Sequence, residues 1–390
     1  MHQLRLKKFA DRRLRAGHLW IFSNELLEIP RLEAGEVVEV IDYPGQNHGV
    51  AFYNPNTLVA ARLLKHSAAP DLEFFRQRLR MAEDYRRRAL DEHGAYRLSF
   101  AESDYLPGLL IDRFGDYFSF EILSVGMENH KSIILEAIAM EFPDAKGIFE
   151  KNKSRWREIE GLPLREEVVF GEIPDEFEIS ENGVRLLVSL REGQKTGYYL
   201  DQKYNRRAAA EVSNGADVLD LFCNQGGFAL TAAIYGASSV TGVDSSAPAI
   251  ERARRNAEIN GFDSAEFIEA DVFDYIDQQI SAGKKWDVVI SDPPAFAKSK
   301  KHRPKAEAAY AKLNRQAMKL VKPGGWLATS SCSQHLAEDK FYDIIMKEAA
   351  KLGYGLRMAF RGGQSPDHPA LVGMPETSYL KFMIFQIIKK

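Results

Sequence analysis

Two short segments hold the side chains best suited to chemistry. Cys332 lies in Ser330-Ser331-Cys332-Ser333, just after an apolar run that reads as a strand, Trp326 to Ser330. A thiol beside hydroxyls at the exposed end of a strand is a candidate nucleophile. Taken alone, such a cysteine is more often a small buried hydrophobe. Asp292 lies in Ser291-Asp292-Pro293-Pro294-Ala295-Phe296. Two prolines stiffen that turn and offer no amide donors. A rigid carboxylate with a carbonyl-lined edge at Pro293 suits a planar base bearing an amino group, and Phe296 adds a stacking face. A free thiol ionises near pH ~8.5, so a cation or dipole must assist it. His335 and Lys298 are the candidates for that help.

A second set of residues reads as a cofactor site. Asp220 opens the turn Asp220-Leu221-Phe222-Cys223-Asn224-Gln225-Gly226-Gly227-Phe228. Its glycines let backbone approach a ligand closely, and Phe222, Asn224 and Gly226 would line it. The turn is not GxGxxG, which weakens a dinucleotide reading. Asp244 ends the second expected strand, where a carboxylate can accept both ribose hydroxyls of an adenosine. Asp271 ends the third, placed to meet an adenine amine, and Asp292 ends the fourth. Strand-end acids can be mere helix caps. Four in register with a glycine turn describe a site for an adenosine ligand with a cationic centre, which S-adenosylmethionine (SAM) fits. Cys223, inside the turn, reads as packing.

The two sets combine into one reaction. Carbon 5 of cytosine is a poor nucleophile. Thiolate addition at carbon 6 makes an enamine whose carbon 5 can attack a methyl sulfonium, and a base then removes the carbon-5 proton so that the thiolate can leave. Asp292 near ring nitrogen 3 or the exocyclic amine would stabilise the adduct. Guanine nitrogen needs no thiol, so Cys332 disfavours an RNA guanine methyltransferase forming 7-methylguanosine or N2-methylguanosine. The set of strand-end acids disfavours a non-catalytic RNA-binding module.

The elements that must carry these residues alternate from about residue 215 onward. Strands are expected at Val218–Phe222, Ser239–Asp244, Phe267–Asp271, Asp287–Ser291 and Trp326–Ser330, with helices between them. Continuous apolar strands suit a parallel sheet covered on both faces, with ligands beyond the carboxyl ends of its strands. Short strands within 35–66 suggest a small barrel. Leu72, Phe75, Leu79 and Ala82 mark a helix over 71–92. Residues 95–180 mix strands with a helix near 128–141. The expected divisions are 1–70, a connecting helix at 71–93, an α+β middle domain at 94–180, and an α/β domain at 181–390.

Charge follows these divisions. The 390 residues carry 52 Lys/Arg and 55 Asp/Glu, a net of −3, which taken whole disfavours nucleic acid. Residues 1–90 hold 15 basic and 11 acidic residues (+4), residues 91–180 hold 9 and 20 (−11), and residues 181–390 hold 28 and 24 (+4). Basic clusters at Arg12, Arg13 and Arg15, at Arg76 to Arg88, and at Lys298 to Lys305 could meet phosphate or be solvated faces. Two cysteines exclude a disulfide scaffold and fit a reducing cytoplasm. No apolar run reaches membrane-spanning length and no signal core is present. Neither a membrane partner nor a metal is expected.

These residues resemble the bacterial 23S ribosomal RNA cytosine-C5 methyltransferases, which join an N-terminal PUA domain to a Rossmann-like class I SAM-dependent methyltransferase domain. Leu14-Arg15-Ala16-Gly17-His18-Leu19-Trp20-Ile21-Phe22-Ser23 resembles the family's opening signature. Glu102 to Gly115 is close to its "ESD-x-LPGL-x-IDR-x-G". The most specific piece is Gln194-Lys195-Thr196-Gly197-Tyr198-Tyr199-Leu200-Asp201-Gln202, which in the family packs on the cofactor. The resemblance therefore implies cofactor contacts for Tyr199 and Gln202. It implies RNA-side roles for Lys195, Tyr310, Asn314 and His368, the last within Asp367-His368-Pro369. It makes Cys332 the nucleophile, SAM the cofactor and large-subunit ribosomal RNA the partner, and is compatible with a homodimer. Ala295 and Gln334 stand where the family often has Lys and Gly. Phe222-Cys223-Asn224-Gln225-Gly226-Gly227 departs from its usual Phe-x-Tyr-Thr-Gly-Gly.

Overall fold

The structure, a computed structural model, describes residues 1–193, 195–296 and 303–389. The chain forms two compact units. One comprises Met1–Phe177, Val188–Leu200 and Pro366–Thr377. The other comprises Glu178–Leu187, Asp201–Ser365 and Ser378–Lys390.

The first unit begins with a five-stranded sheet in the order His2–Arg5, Val37–Ile41, Asn47–Tyr53, Val59–Leu63, Trp20–Phe22. The chain just beyond Trp20–Phe22 returns to the first strand: Lys7 N–H donates to Glu25 O at 2.8 Å and Leu27 N–H to Arg5 O at 2.9 Å, which covers part of that open edge. Leu4, Leu6, Val38, Val40 and Leu63 fill the interior, because alternate strand residues face one side. Helix Leu72–Ala89 follows, with Asp71 capping the Phe74 amide at 2.8 Å. The basic cluster on this helix is largely engaged: Arg86 is fully buried against Asp104, and Arg76 and Arg80 meet Glu73 and Glu141.

A second five-stranded sheet runs in the order Arg165–Gly171, Gly147–Asn152, Tyr117–Ile122, Leu109–Phe114, Ala95–Phe100. The helix expected near 128–141 is two helices, Val125–Asn129 and Lys131–Glu141. They part at His130, whose Nδ1 lies 2.7 Å from Gly126 O.

The second unit is built on a seven-stranded sheet in the order Glu266–Glu269, Ser239–Asp244, Asp217–Leu221, Trp286–Ser291, Val321–Ser331, Lys381–Lys389, Tyr354–Gly362. The first five strands are parallel and the last two pair antiparallel. Leu219, Leu221, Val243, Val289 and Leu327 are buried in its core, as strands covered on both faces require. Strand order reverses between Asp217–Leu221 and Trp286–Ser291, the place where such sheets open a crevice for ligands. Register aligns Leu221 with Val243 and Ser291, and Ser291 with Thr329. The segments following these strands therefore emerge together. Among the described residues, no helix is long and apolar enough to cross a membrane.

Candidate active site

The cofactor end begins at Asp220, next to last in its strand. Its side chain is fully buried, and Oδ2 accepts the Ala229 amide at 3.0 Å. Its Oδ1 is buried with no hydrogen-bond partner among the described residues. Burial pushes the Asp220 pKa well up, opposed by the Ala229 N–H and by the charge of Arg206, with Asp292 and Asp244 adding to the rise. The strand stops at Leu221 rather than Phe222, because Phe222 takes a positive φ of 64°. Asn224 (49°) and Gly226 (85°) are also left-handed, so the turn holds two non-glycine residues in a costly conformation. Asp244 is clamped by backbone: Asn224 N–H donates to Oδ2 at 3.0 Å and Ser246 N–H to Oδ1 at 2.9 Å. Each oxygen keeps a lone pair for a hydroxyl. Asp271 is placed differently. The third strand ends at Glu269, and exposed Asp271 caps the next helix, its Oδ1 accepting from Phe273 N–H at 2.9 Å and Asp274 N–H at 3.1 Å.

Two further polar atoms, Gln225 Nε2 and Ser291 Oγ, are buried without partners among the described residues. An unpaired buried carboxylate among further acids fits a cationic ligand, since such a group is costly until a counter-charge meets it. The arrangement suits the ammonium and sulfonium of SAM.

At the adjoining strand ends, Asp292 Oδ1 accepts from Gln202 Nε2 at 2.8 Å and from Ser330 Oγ. Gln202 is held in turn by Asn205 Nδ2 at 2.6 Å. The Cys332 thiol is half-buried and lies 4.0 Å from Pro293 O, so the sequence-predicted nucleophile and the Asp-Pro-Pro turn do come together. Tyr310 and Asn314 are fully buried behind them. Tyr310 OH is 2.9 Å from Ser333 Oγ, its ring lies 4.8 Å from that of Phe296, and Asn314 Oδ1 accepts from Thr329 Oγ1 at 2.9 Å. These two residues brace the Ser-Cys-Ser segment. Lys298 lies outside the described residues.

The remaining predicted residues belong to the first unit. Lys195 is exposed and stands 4.5 Å from the centre of the Tyr199 ring. The adjacent Thr196 hydroxyl bonds to Asp112, which Arg97 grips with two bonds of 2.7 and 2.8 Å. The Lys-Thr-Gly segment is thus anchored to the Ile-Asp-Arg motif. His368 is buried, 3.0 Å from Asp367 Oδ1. Arg13 bonds Glu25 at 2.7 and 2.8 Å, and Arg15 meets Asp42 at 3.1 Å and Asp11. Arg12 makes no ion pair among the described residues and stacks 4.5 Å from the Phe9 ring, which Lys8 also approaches. Phe9 is 57% exposed with φ +70°, an unusual state for a bulky aromatic.

Sequence reasoning missed three contributors. Gly242 leaves room for Phe267 and Cys223, since a Cβ there would come within 2.6 Å of the Phe267 ring. Phe9 carried no signal beyond its basic neighbours. Lys381 is buried, and Nζ donates to Ser333 O and Tyr379 O, each at 2.7 Å. It lies about fifty residues beyond the cysteine, so spacing could not reveal it.

Comparison with known proteins adds to this geometry. The family model for S-adenosylmethionine-dependent methyltransferases matches residues 163–385, and that for a PUA-like domain matches residues 4–66. The ribosomal RNA large subunit methyltransferase I of Pseudoalteromonas atlantica is 36% identical over 385 residues, covering 97% of each chain. Its namesake from Klebsiella pneumoniae is 37% identical over 387 residues, covering 97% of this chain and 96% of that one. A Streptococcus mutans structure described as a SAM-dependent methyltransferase is 24% identical with a TM-score of 0.84, covering 99% of this chain and all (100%) of its own. Another methyltransferase structure, complexed with S-adenosylhomocysteine, is 24% identical with a TM-score of 0.86 and the same coverage. The structural likenesses establish the shared fold: a PUA-like domain with a Rossmann-like methyltransferase domain. SAM is the cofactor of this fold and family.

Proposed function

The chain belongs to the S-adenosylmethionine-dependent methyltransferase family, alongside the ribosomal RNA large subunit methyltransferase I enzymes, and from that premise we propose that it methylates carbon 5 of a cytosine in large-subunit ribosomal RNA in the cytoplasm. The observation that carries this reading is the Cys332 thiol 4.0 Å from Pro293 O, beside Asp292 and the glycine turn. SAM, when bound, supplies an electrophilic methyl group. Asp220 would pair with its ammonium, Asp244 would take the ribose hydroxyls, and Phe222, Asn224 and Gly226 would shape the turn around it.

The chain's own residues do the rest. Cys332, as thiolate, adds to carbon 6 of the cytosine and turns carbon 5 into a nucleophile. Asp292, held rigid by Gln202 and Ser330, bonds the ring nitrogen or amine and steadies the adduct. Once carbon 5 loses its proton, the carbon–sulfur bond breaks and the thiolate returns. The target base must leave its stack to reach this site. Arg12, Lys8 and the exposed Phe9 ring offer a cationic, stacking surface for RNA.

The test is methyl transfer from labelled SAM to ribosomal RNA, with digestion of the product to nucleosides. The expected product is 5-methylcytidine, and Cys332→Ser should abolish its formation while retaining SAM affinity. A methylated guanosine formed undiminished by Cys332→Ser would overturn the cytosine reading.

A further inference from the structure

We propose that Lys381 is the positioning residue that favours ionisation of Cys332, drawing the thiol's midpoint below that of a free thiol. This rests on the reading of Cys332 as the reactive thiol. Lys381 begins the strand Lys381–Lys389, which pairs antiparallel with Val321–Ser331 and sets Lys381 directly opposite Ser331. The next residue but one along the strand's exit is Ser333, whose carbonyl accepts from Lys381 Nζ at 2.7 Å. Tyr379 O accepts a second bond at 2.7 Å. Two carbonyls thus fix the ammonium beside the segment that carries Cys332.

A buried ammonium is costly without an anion. Lys381 is 7% exposed, and among the described residues no carboxylate forms an ion pair with it. Burial pulls its pKa down to about 8, and negative charge at Cys332, then at Glu338, pushes it back up. The attraction is mutual, so the ammonium favours the thiolate. Other titratable groups face this region. Tyr310, from helix Arg303–Leu320, feels the Cys332 charge, and its phenol is pushed up chiefly by burial. Glu338 opens helix Glu338–Lys351, Asp292 is held by Ser330, and His335 follows on the cysteine's own segment. Asp292 and Glu338 oppose a thiolate when ionised, Glu338 being itself paired with Arg361, and among the described residues Lys381 is a buried cation placed to offset them.

On ionisation the thiol proton passes to solvent water, Lys381 remains an ammonium, and the sulfur lone pair becomes available. The experiment reads that state without RNA or SAM. Iodoacetamide alkylates the thiolate, forming a carbon–sulfur bond and releasing iodide, and the rate at Cys332 is followed by peptide mass spectrometry from pH 5 to 10. The wild-type midpoint is expected below the free-thiol value of about 8.5. Lys381→Met should raise it by about one unit or more, and Lys381→Arg, which keeps the charge, should restore much of the shift. Equal midpoints in the wild type and Lys381→Met would overturn the proposal. If Lys381→Met does not fold, as judged by circular dichroism, the wild-type midpoint decides: a value at or above about 8.5 overturns it equally. The two readings fail separately. A product other than 5-methylcytidine overturns the reaction but leaves the alkylation shift intact. Formation of 5-methylcytidine with no shift overturns Lys381 alone.

Discussion

Buried charge is handled in opposite ways in two parts of this molecule. In the first unit, Arg97 and Asp112 are both buried and share two bonds of 2.7 and 2.8 Å, and Arg86 grips Asp104 with a second bond of 2.7 Å. At the strand ends of the second unit, Asp220 is equally buried, yet its Oδ1 has no hydrogen-bond partner among the described residues, and two more acids, Asp292 and Asp244, act on it against the cation Arg206. A paired buried charge costs little once formed and fixes architecture. An unpaired one is retained where a ligand supplies the missing charge. The first arrangement ties the Ile-Asp-Arg motif to Thr196 and the segment beside Lys195. The second holds a place for a cation.

The contrast can be broken by substitution, and the signs differ. Removing one partner of the paired set should be the most damaging: Arg97→Met leaves Asp112 buried without its counter-charge, at a cost of about 3–5 kcal/mol. Urea unfolding would show it, and an unchanged midpoint would mean that the pair contributes nothing. Asp220→Asn should do the reverse to the free protein, raising its melting temperature by removing a strained charge. SAM affinity should nevertheless fall at least tenfold, or about 1.4 kcal/mol. Calorimetry and thermal melts on one preparation would separate the two effects.

The same carboxyl predicts a pH dependence. Its folded pKa lies above its unfolded value, so the folded state binds more protons between the two. Its contribution to stability is therefore present at low pH and declines as pH rises through that window. SAM binding within the window should release a proton, seen as a dependence of the binding heat on the buffer's ionisation heat and lost in Asp220→Asn. The smallest effect belongs to the surface. Arg12→Ala should weaken RNA binding and lower its salt slope by about 1, whereas Arg13→Ala and Arg15→Ala should change the slope less, because Glu25, Asp42 and Asp11 already neutralise them. Equal slopes for all three would return Arg12 to an ordinary solvated role.

Much of the fold is legible along the chain because local pattern encodes it. Apolar runs separated by helical segments imply a parallel sheet, and strand-end acids beside a glycine turn mark where a ligand enters. The reading of single residues fares less evenly. Asp220, Asp244 and Asp292 sit at the strand ends as the pattern implies. Asp271 lies two residues beyond the end of its strand at Glu269 and caps the next helix through Oδ1. Tyr310 and Asn314 lie in the interior, since their helix turns them toward the core rather than outward. Of the three arginines near the start, the pairing of Arg13 and Arg15 depends on Glu25, Asp11 and Asp42, and no count of charges along the chain can show which acids come into reach.

The sequence by itself determined the residue types and their local order: a thiol between serines, a carboxylate ahead of two prolines, a glycine turn after an apolar strand. These depend on contacts within a few residues. Only the tertiary structure decided which charges are paired, that Asp220 is buried with one oxygen unmet, and that Lys381 lies across from the cysteine segment. Strand register and burial join residues far apart in the chain. The same side chain is a neutral filler, a paired ion or a reactive group according to the charges and solvent that folding brings to it.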